Sequence, residues 1–186
     1  FLKVSGDIMG LRPGRCYRKK EGKPYTRVSE RNPRKSYIKG VPAIKTRDFE
    51  NGDLKNKDEY EIELKLTVDE DVQIRHNAIE SARVNANTYL VEELGEENYF
   101  LKILVYPHHV LRENPLATGA GADRFQQGMT EAFGNPIGRA ARMDKNQEFM
   151  LVKVPEGKLD VAREALSRAN HKLPTSCSIK GLEKYS

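Results

Sequence analysis

"YEIELKLTV", residues 60–68, alternates without a break: Tyr60, Ile62, Leu64, Leu66 and Val68 fall on one side and charged or polar residues on the other. A period of two is that of a strand with one face buried and one in water. It demands a partner layer. Downstream, Ile79, Ala82, Ala86, Tyr89, Leu90 and Leu94 recur at three and four, which predicts a helix over 76–94 that Gly95 stops. "YFLKILVYP" predicts a second strand, and "HHVLREN" its extension or a further one. The last third repeats the pattern. "RAARM" and "EFMLVKV" are strands around a turn at "DKNQ". Val161, Ala162, Ala165, Leu166 and Ala169 make one face of a helix over 160–170, and "TSCSIK" ends as a strand. With no parallel strand–helix–strand series, the expectation is an α+β fold: a two-layer sandwich of mostly antiparallel strands with two main helices.

The charge is unevenly placed. Residues 1–47 hold 14 Lys plus Arg against three acids, a net of +11 in a chain whose total is +5, so the remaining 139 residues carry −6. Such a local excess is the footprint of a polyanion, most simply nucleic acid. The segment lacks an apolar helical face, which argues against a membrane surface. Four prolines (Pro13, Pro24, Pro33, Pro42) forbid a long helix in it, and three tyrosines (Tyr17, Tyr25, Tyr37) offer planes for unpaired bases. The expected organisation is an extended arm over 1–47, ordered only on its partner, and one globular domain over 48–186. Arg12, Arg15, Arg18, Lys19, Lys20, Lys23, Arg27, Arg31, Arg34, Lys35, Lys39 and Lys45 are the arm's candidate phosphate contacts. Residues 48–71 reverse the sign, with ten acids against three lysines, and are expected to face away from the polyanion.

Other chemistries find little support. No run reaches the roughly 18 apolar residues of a membrane span, and "FLKVSGDI" is too short and polar for a signal peptide, so a cytoplasmic protein is expected. Cys16 and Cys177 stand far apart and are expected to be free thiols. "GAGADR" has neither glycine spacing nor lysine of a nucleotide-binding loop. Adjacent strand histidines His108 and His109 point to opposite faces and cannot readily share a metal. His76 stands at a helix start, where it could pair with Glu80, meet a phosphate or be a solvated cap. No cofactor and no metal are expected. "RENPLATGAGADRFQQG", residues 112–128, has almost nothing to bury and is a slack connector, an enzyme's loop or a finger held toward a partner. Phe125, Met129 and Phe133 beyond it are spaced for one face of a short helix closed by Gly134.

"GLRPGRCYR", "KPYTR", "YIKGVP", "QIRHNAIESARVNAN", "YPHHVLREN", "GAGADRFQQGMTEAFGNPIG" and "AAR", in this order, resemble the universal large-subunit ribosomal protein family called L-ten-e in archaea and L-sixteen in bacteria. The likeness runs from about Met9 to Lys180, with eight residues ahead of Met9, and is closer to the archaeal and eukaryotic branch. The resemblance implies a structural constituent of the large subunit with no enzymatic activity and a hammerhead-like α+β fold. Its implied partners are large-subunit rRNA, transfer RNA and neighbouring ribosomal proteins, with no homo-oligomer. Taken with the arm's charge and rings, it makes Arg12, Arg15, Tyr17, Arg18, Lys19, Lys20, Lys23, Tyr25, Arg27, Arg34, Lys35, Tyr37, Lys39, Arg75, His76 and Arg139 the candidate rRNA contacts, the last as an extra cation that would suit an added phosphate contact or be a surface change. Arg139 stands where relatives have a small polar residue. It makes Arg112, Asn114, Thr118, Gly119, Gly121, Ala122, Asp123 and Arg124 a finger directed at the peptidyl transferase centre, beside transfer RNA in the aminoacyl site. A free RNA-binding assembly or translation factor is the alternative that the arm alone would allow.

Overall fold

The structure, a computed structural model, describes residues 12–33, 35–116, 120–121 and 128–183. After a short 3-10 helix at Gly14–Tyr17, the chain forms β1 (Glu50–Gly52), β2 (Ile62–Val68), β3 (Val72–Arg75), α1 (His76–Leu94), β4 (Phe100–Ile103) and β5 (His109–Glu113). It continues through β6 (Asn135–Met143), β7 (Glu148–Val154), α2 (Leu159–Asn170) and β8 (Cys177–Glu183). Two antiparallel sheets result, five strands in the order β1-β4-β7-β2-β8 and three in the order β3-β6-β5. The fold is α+β, as the alternation and the two helical patterns predict.

The alternation of β2 becomes burial. Ile62, Leu64, Leu66 and Val68 are buried and meet β7 in a register that sets Leu64 opposite Val152 and Leu66 opposite Met150. The register slips between Leu66 and Thr67, and Thr67 is buried as well, its hydroxyl donating to the Ser178 carbonyl at 3.0 Å. Helix α2 lays Ala162, Ala165, Leu166 and Ala169 toward β2, β7 and α1. Its alanines allow the close approach. Helix α1 buries His76, Ile79, Ala82, Ala86 and Leu90 and also reaches β3 and β6, so one apolar cluster serves both sheets. At its end Gly95, with φ 79, donates its amide to the Val91 carbonyl.

The chain crosses between the sheets four times: from β2 to β3, from β3 through α1 to β4, from β4 to β5 and from β6 to β7. Between β2 and β3 the chain turns at residues 69–71, and between β6 and β7 at 144–147. The Asn146 amide donates to the Val68 carbonyl at 2.8 Å and the Val68 amide to Gln147 at 3.1 Å, which pins one crossing to the other. Asn146 carries the positive φ of 64 that this turn needs, a conformation Asn tolerates better than most residues.

Three expectations change here. The arm carries little regular structure but does not hang free: it lies along the three-stranded sheet, bonded at both outer strands. Its ordering is offset mainly by main-chain and charged hydrogen bonds, with Ile38 its one buried apolar side chain among the described residues. The acidic segment does not all face away from it, because Glu70 pairs with Arg18 at 2.9 Å. Residues 128–133 form successive turns rather than a helix, held by i to i+3 bonds from Ala132 to Met129 and from Gly134 to Glu131. Met129 and Phe133 are each 66% exposed, so there is no buried face to stabilise a helix; Phe125 lies outside the described residues.

Candidate nucleic-acid interface

The arm crosses the three-stranded sheet from one edge to the other. At the β3 edge, the Gln73 amide donates to the Arg18 carbonyl at 2.8 Å and the Gln73 side chain to the Tyr17 carbonyl at 3.0 Å. Arg75 donates to the Arg12 carbonyl at 2.8 Å, and its guanidinium lies 5.7 Å from the centre of the Tyr17 ring. At the β5 edge, the Val110 amide donates to the Tyr25 carbonyl at 3.1 Å, while the Tyr25 amide donates to Nδ1 of His109 at 2.7 Å. Between the two, Lys20 pairs with Asp144 and Arg142 donates to the Gly22 carbonyl. Further on, Arg139 holds the Pro42 carbonyl at 3.1 Å, and the Thr46 hydroxyl reaches the His76 carbonyl.

These anchors divide the predicted contacts into two groups. Arg12, Tyr17, Arg18, Lys20, Tyr25, Arg75 and Arg139 hold the arm on the domain. Arg15, Lys19, Lys23, Lys35 and Lys39 are exposed, and their side chains make no ion pair or hydrogen bond with described residues. Arg27 and Tyr37 are also exposed and stack on each other at 5.9 Å. The first group shapes the arm, and the second leaves its charge to be met by something else. His76 belongs to neither. It is 8% exposed, and burial first, then the charges of Lys45, Arg139 and Arg75, hold its imidazole below the usual range. Its expected partner Glu80 is taken by Arg83 at 2.6 Å. Arg34 lies outside the described residues.

The arm also grips the residues at the two ends of the segment expected to be a finger. Arg12 forms an ion pair with Glu113, the last residue of β5, and the Tyr17 hydroxyl donates to the same carboxylate at 3.2 Å. Burial, reinforced by Glu113, pushes the Tyr17 phenol up to about 12. Next to it, Arg112 donates to the Gly134 carbonyl at 2.8 Å and to the Tyr25 hydroxyl at 3.0 Å. Its guanidinium lies 4.4 Å from the Phe133 ring centre and 4.9 Å from that of Tyr25, and the two rings meet edge to face. Asn114 closes the root by donating to the Gly128 carbonyl at 3.3 Å. Gly121 has φ 82 and open space around it. Thr118, Gly119, Ala122, Asp123 and Arg124 lie outside the described residues.

Among the described residues, no group of three or more His, Cys, Asp or Glu could hold a metal ion, and no helix is long and apolar enough to cross a membrane. A family model described as ribosomal protein L16p/L10e matches residues 22–180. The chain belongs to this family. It is 50% identical over 171 residues to the large ribosomal subunit protein uL16 of Staphylothermus marinus, covering 92% of this chain and 93% of that one. To the uL16 proteins of Thermofilum pendens and Methanocella arvoryzae it is 48% and 46% identical, covering 89% and 90% of this chain and 94% and 92% of theirs. The archaeal-type resemblance carried by the long basic start and "RCYR" is therefore correct.

Several residues that build the interface in this family member give little sign of it in the sequence. Glu113, Gly134, Phe133 and Arg142 each matter through a partner far away in the chain. The only local signal is at Arg142, a cation in a strand that otherwise turns small apolar residues inward.

Proposed function

We propose that the chain binds large-subunit rRNA through the outward cations of its arm, and that the finger rooted at Arg112 and Glu113 supports transfer RNA placement near the peptidyl transferase centre. As a family member it is a structural constituent of the large ribosomal subunit in the cytoplasm, and not an enzyme. The observation that carries the rRNA reading is the division of the arm. One set of its cations fixes its course, and Arg15, Lys19, Lys23, Lys35 and Lys39 are left exposed along that course with no protein counter-charge among the described residues. Phosphates are the natural partners of such a row, and they determine position rather than sequence. The finger reading is supported by the shared root. Because Arg12 and Tyr17 hold Glu113, and Tyr25 holds Arg112, an arm seated on rRNA would also fix the direction in which residues 112–124 leave the domain.

The test is salt dependence with a quadruple variant, Arg15→Ala, Lys19→Ala, Lys35→Ala and Lys39→Ala, none of which disturbs an anchor. Removing one phosphate-neutralising cation should flatten the slope of log affinity against log salt by about 0.7 to 0.9, and removing all four by about three. An unchanged slope with large-subunit rRNA would overturn the arm assignment. A photo-crosslinker at Thr118 in intact subunits tests the finger separately: transfer RNA adducts support it, and adducts confined to rRNA remove its role in transfer RNA placement.

A further inference from the structure

A recess of about 560 Å³ lies between the arm and the strands it crosses. Lys20, Gly22, Lys23, Pro24, Thr26 and Val28 of the arm form one wall, and Tyr106, His108, His109, Arg142 and Asp144 form the other. Its size is in the range of about 300–1,000 Å³ that accepts a small-molecule-sized group.

Three features inside it call for a ligand that is both flat and anionic. The first is a run of rings: Phe49 stacks on Tyr106 at 5.4 Å with their planes 19° apart, and His108 follows at 4.5 Å, tilted by 43°. Tyr106 is 41% exposed and His108 is exposed, so the run ends in the open. The second is Arg142. One of its terminal nitrogens is spent on the Gly22 carbonyl at 2.6 Å, while Nε and Nη1 are buried with no protein acceptor. Buried donors left in that state are costly, which favours an acceptor supplied from outside. The third is Lys23, exposed and without a partner among the described residues. The neighbouring cation, Lys20, is already neutralised by Asp144. His109 fixes the arm wall in place, its Nδ1 receiving the Tyr25 amide.

The geometry points to a seat for one unpaired nucleotide of the large-subunit rRNA, its base against Tyr106 and His108 and its phosphate at Lys23 and Arg142. This rests on the reading of the arm as an rRNA contact and specifies one site within it. A base-paired helix would not fit: its bases already stack on one another, and it presents only backbone to a recess of this kind, whereas a base turned out of its helix brings a free face to a ring. A free nucleotide is disfavoured because there is no glycine loop of backbone amides to take its phosphates.

The experiment uses large subunits carrying the full chain, either unchanged or with His108→Ala or Lys23→Ala, together with the quadruple arm variant. Base-specific chemical probing of the rRNA is read alongside ultraviolet crosslinking of the unchanged protein. The expected result is a single unpaired nucleotide whose reactivity rises about three- to tenfold in both His108→Ala and Lys23→Ala, and which crosslinks to the peptide carrying Tyr106 and His108. The arm variant should alter other positions. If neither single variant changes any nucleotide while the arm variant does, the seat is wrong and the rRNA reading stands. If the crosslink is to another protein, or the affected positions are base-paired, the seat is equally overturned. If no variant alters the rRNA at all, both readings fall together.

Discussion

Replacing Gly134 with Ala should destabilise the protein far more than the same change at another glycine of the same backbone conformation. Gly134 has φ 73, and a Cβ built there would lie 2.3 Å from the carbonyl carbon of Glu113, 2.4 Å from its oxygen and 2.7 Å from the Asn114 amide nitrogen. All three are backbone atoms, so no side-chain rotation relieves the overlap. Gly157 has φ 80 but nothing within 4 Å of the same position. Gly157→Ala should therefore cost only the left-handed conformation, about 1 kcal/mol. Gly134→Ala adds the displacement of β5 from β6 where Glu113 faces Asn135, and disruption of the Arg112 bond to the Gly134 carbonyl. Overpacking of this kind and a broken charged hydrogen bond add about 2–3 kcal/mol. For a domain of this size the expected falls in Tm are about 2–4 °C for Gly157→Ala and roughly 6–16 °C for Gly134→Ala. Differential scanning calorimetry of the two variants decides it. Equal melting temperatures would refute the reasoning, because they would mean that the strand pair at the finger root yields at no cost.

The two thiols should react very differently. Cys16 is exposed, whereas burial, and then Asp69, push Cys177 up to about 12, so iodoacetamide at a pH of about 8 should label Cys16 in the folded chain and reach Cys177 only after denaturation, as read by peptide mass spectrometry. Tyr17 has a folded pKa above its unfolded value of about 10, so its contribution to stability is complete below pH 10 and disappears as the pH rises toward 12. Urea titrations between about pH 9 and 11.5 should show a decline that Tyr17→Phe reduces, the remainder coming from Tyr60 and Tyr99, which burial also raises. His109 is shifted the other way, lowered by burial and then by Arg142, so its contribution is present above the ordinary histidine range and is lost as the pH falls below about 6.5. His109→Asn should flatten that acid limb, and an unchanged limb would mean that His109 is not held neutral by its setting.

Regular elements are legible in the sequence where a period is long enough to read. The helix over 76–94 and the strand over 148–154 coincide with α1 and β7, and the alternation from Ile62 to Val68 gives the buried face of β2. β3 leaves no such trace because "VQIR" is only four residues and buries three in succession, Val72, Gln73 and Ile74, so there is no alternation to detect. β1 is equally silent because "ENG" is held only by its partner β4. In the arm, the sequence identifies the charge but not its division of labour. Whether an arginine meets rRNA or holds a carbonyl of its own chain depends on contacts across 52 to 124 residues of separation, such as Arg18 to Glu70 and Lys20 to Asp144. Composition carries no trace of these contacts. The same holds for Arg112, expected to be part of the finger and found between Tyr25 and Phe133.

The passage of the arm over both outer strands has a consequence for the protein before it reaches its RNA. A three-stranded sheet has two open edges, each a template on which another chain can add a strand. Here Arg18 occupies a donor of β3 and Tyr25 a donor of β5, so a segment rich in lysine, arginine and proline borders each edge. The same residues that invite one polyanion thereby repel a second copy of the sheet. Trimming the arm would do more than weaken the proposed RNA binding: it would open the outer edges of β3 and β5 and leave a domain prone to pair with itself.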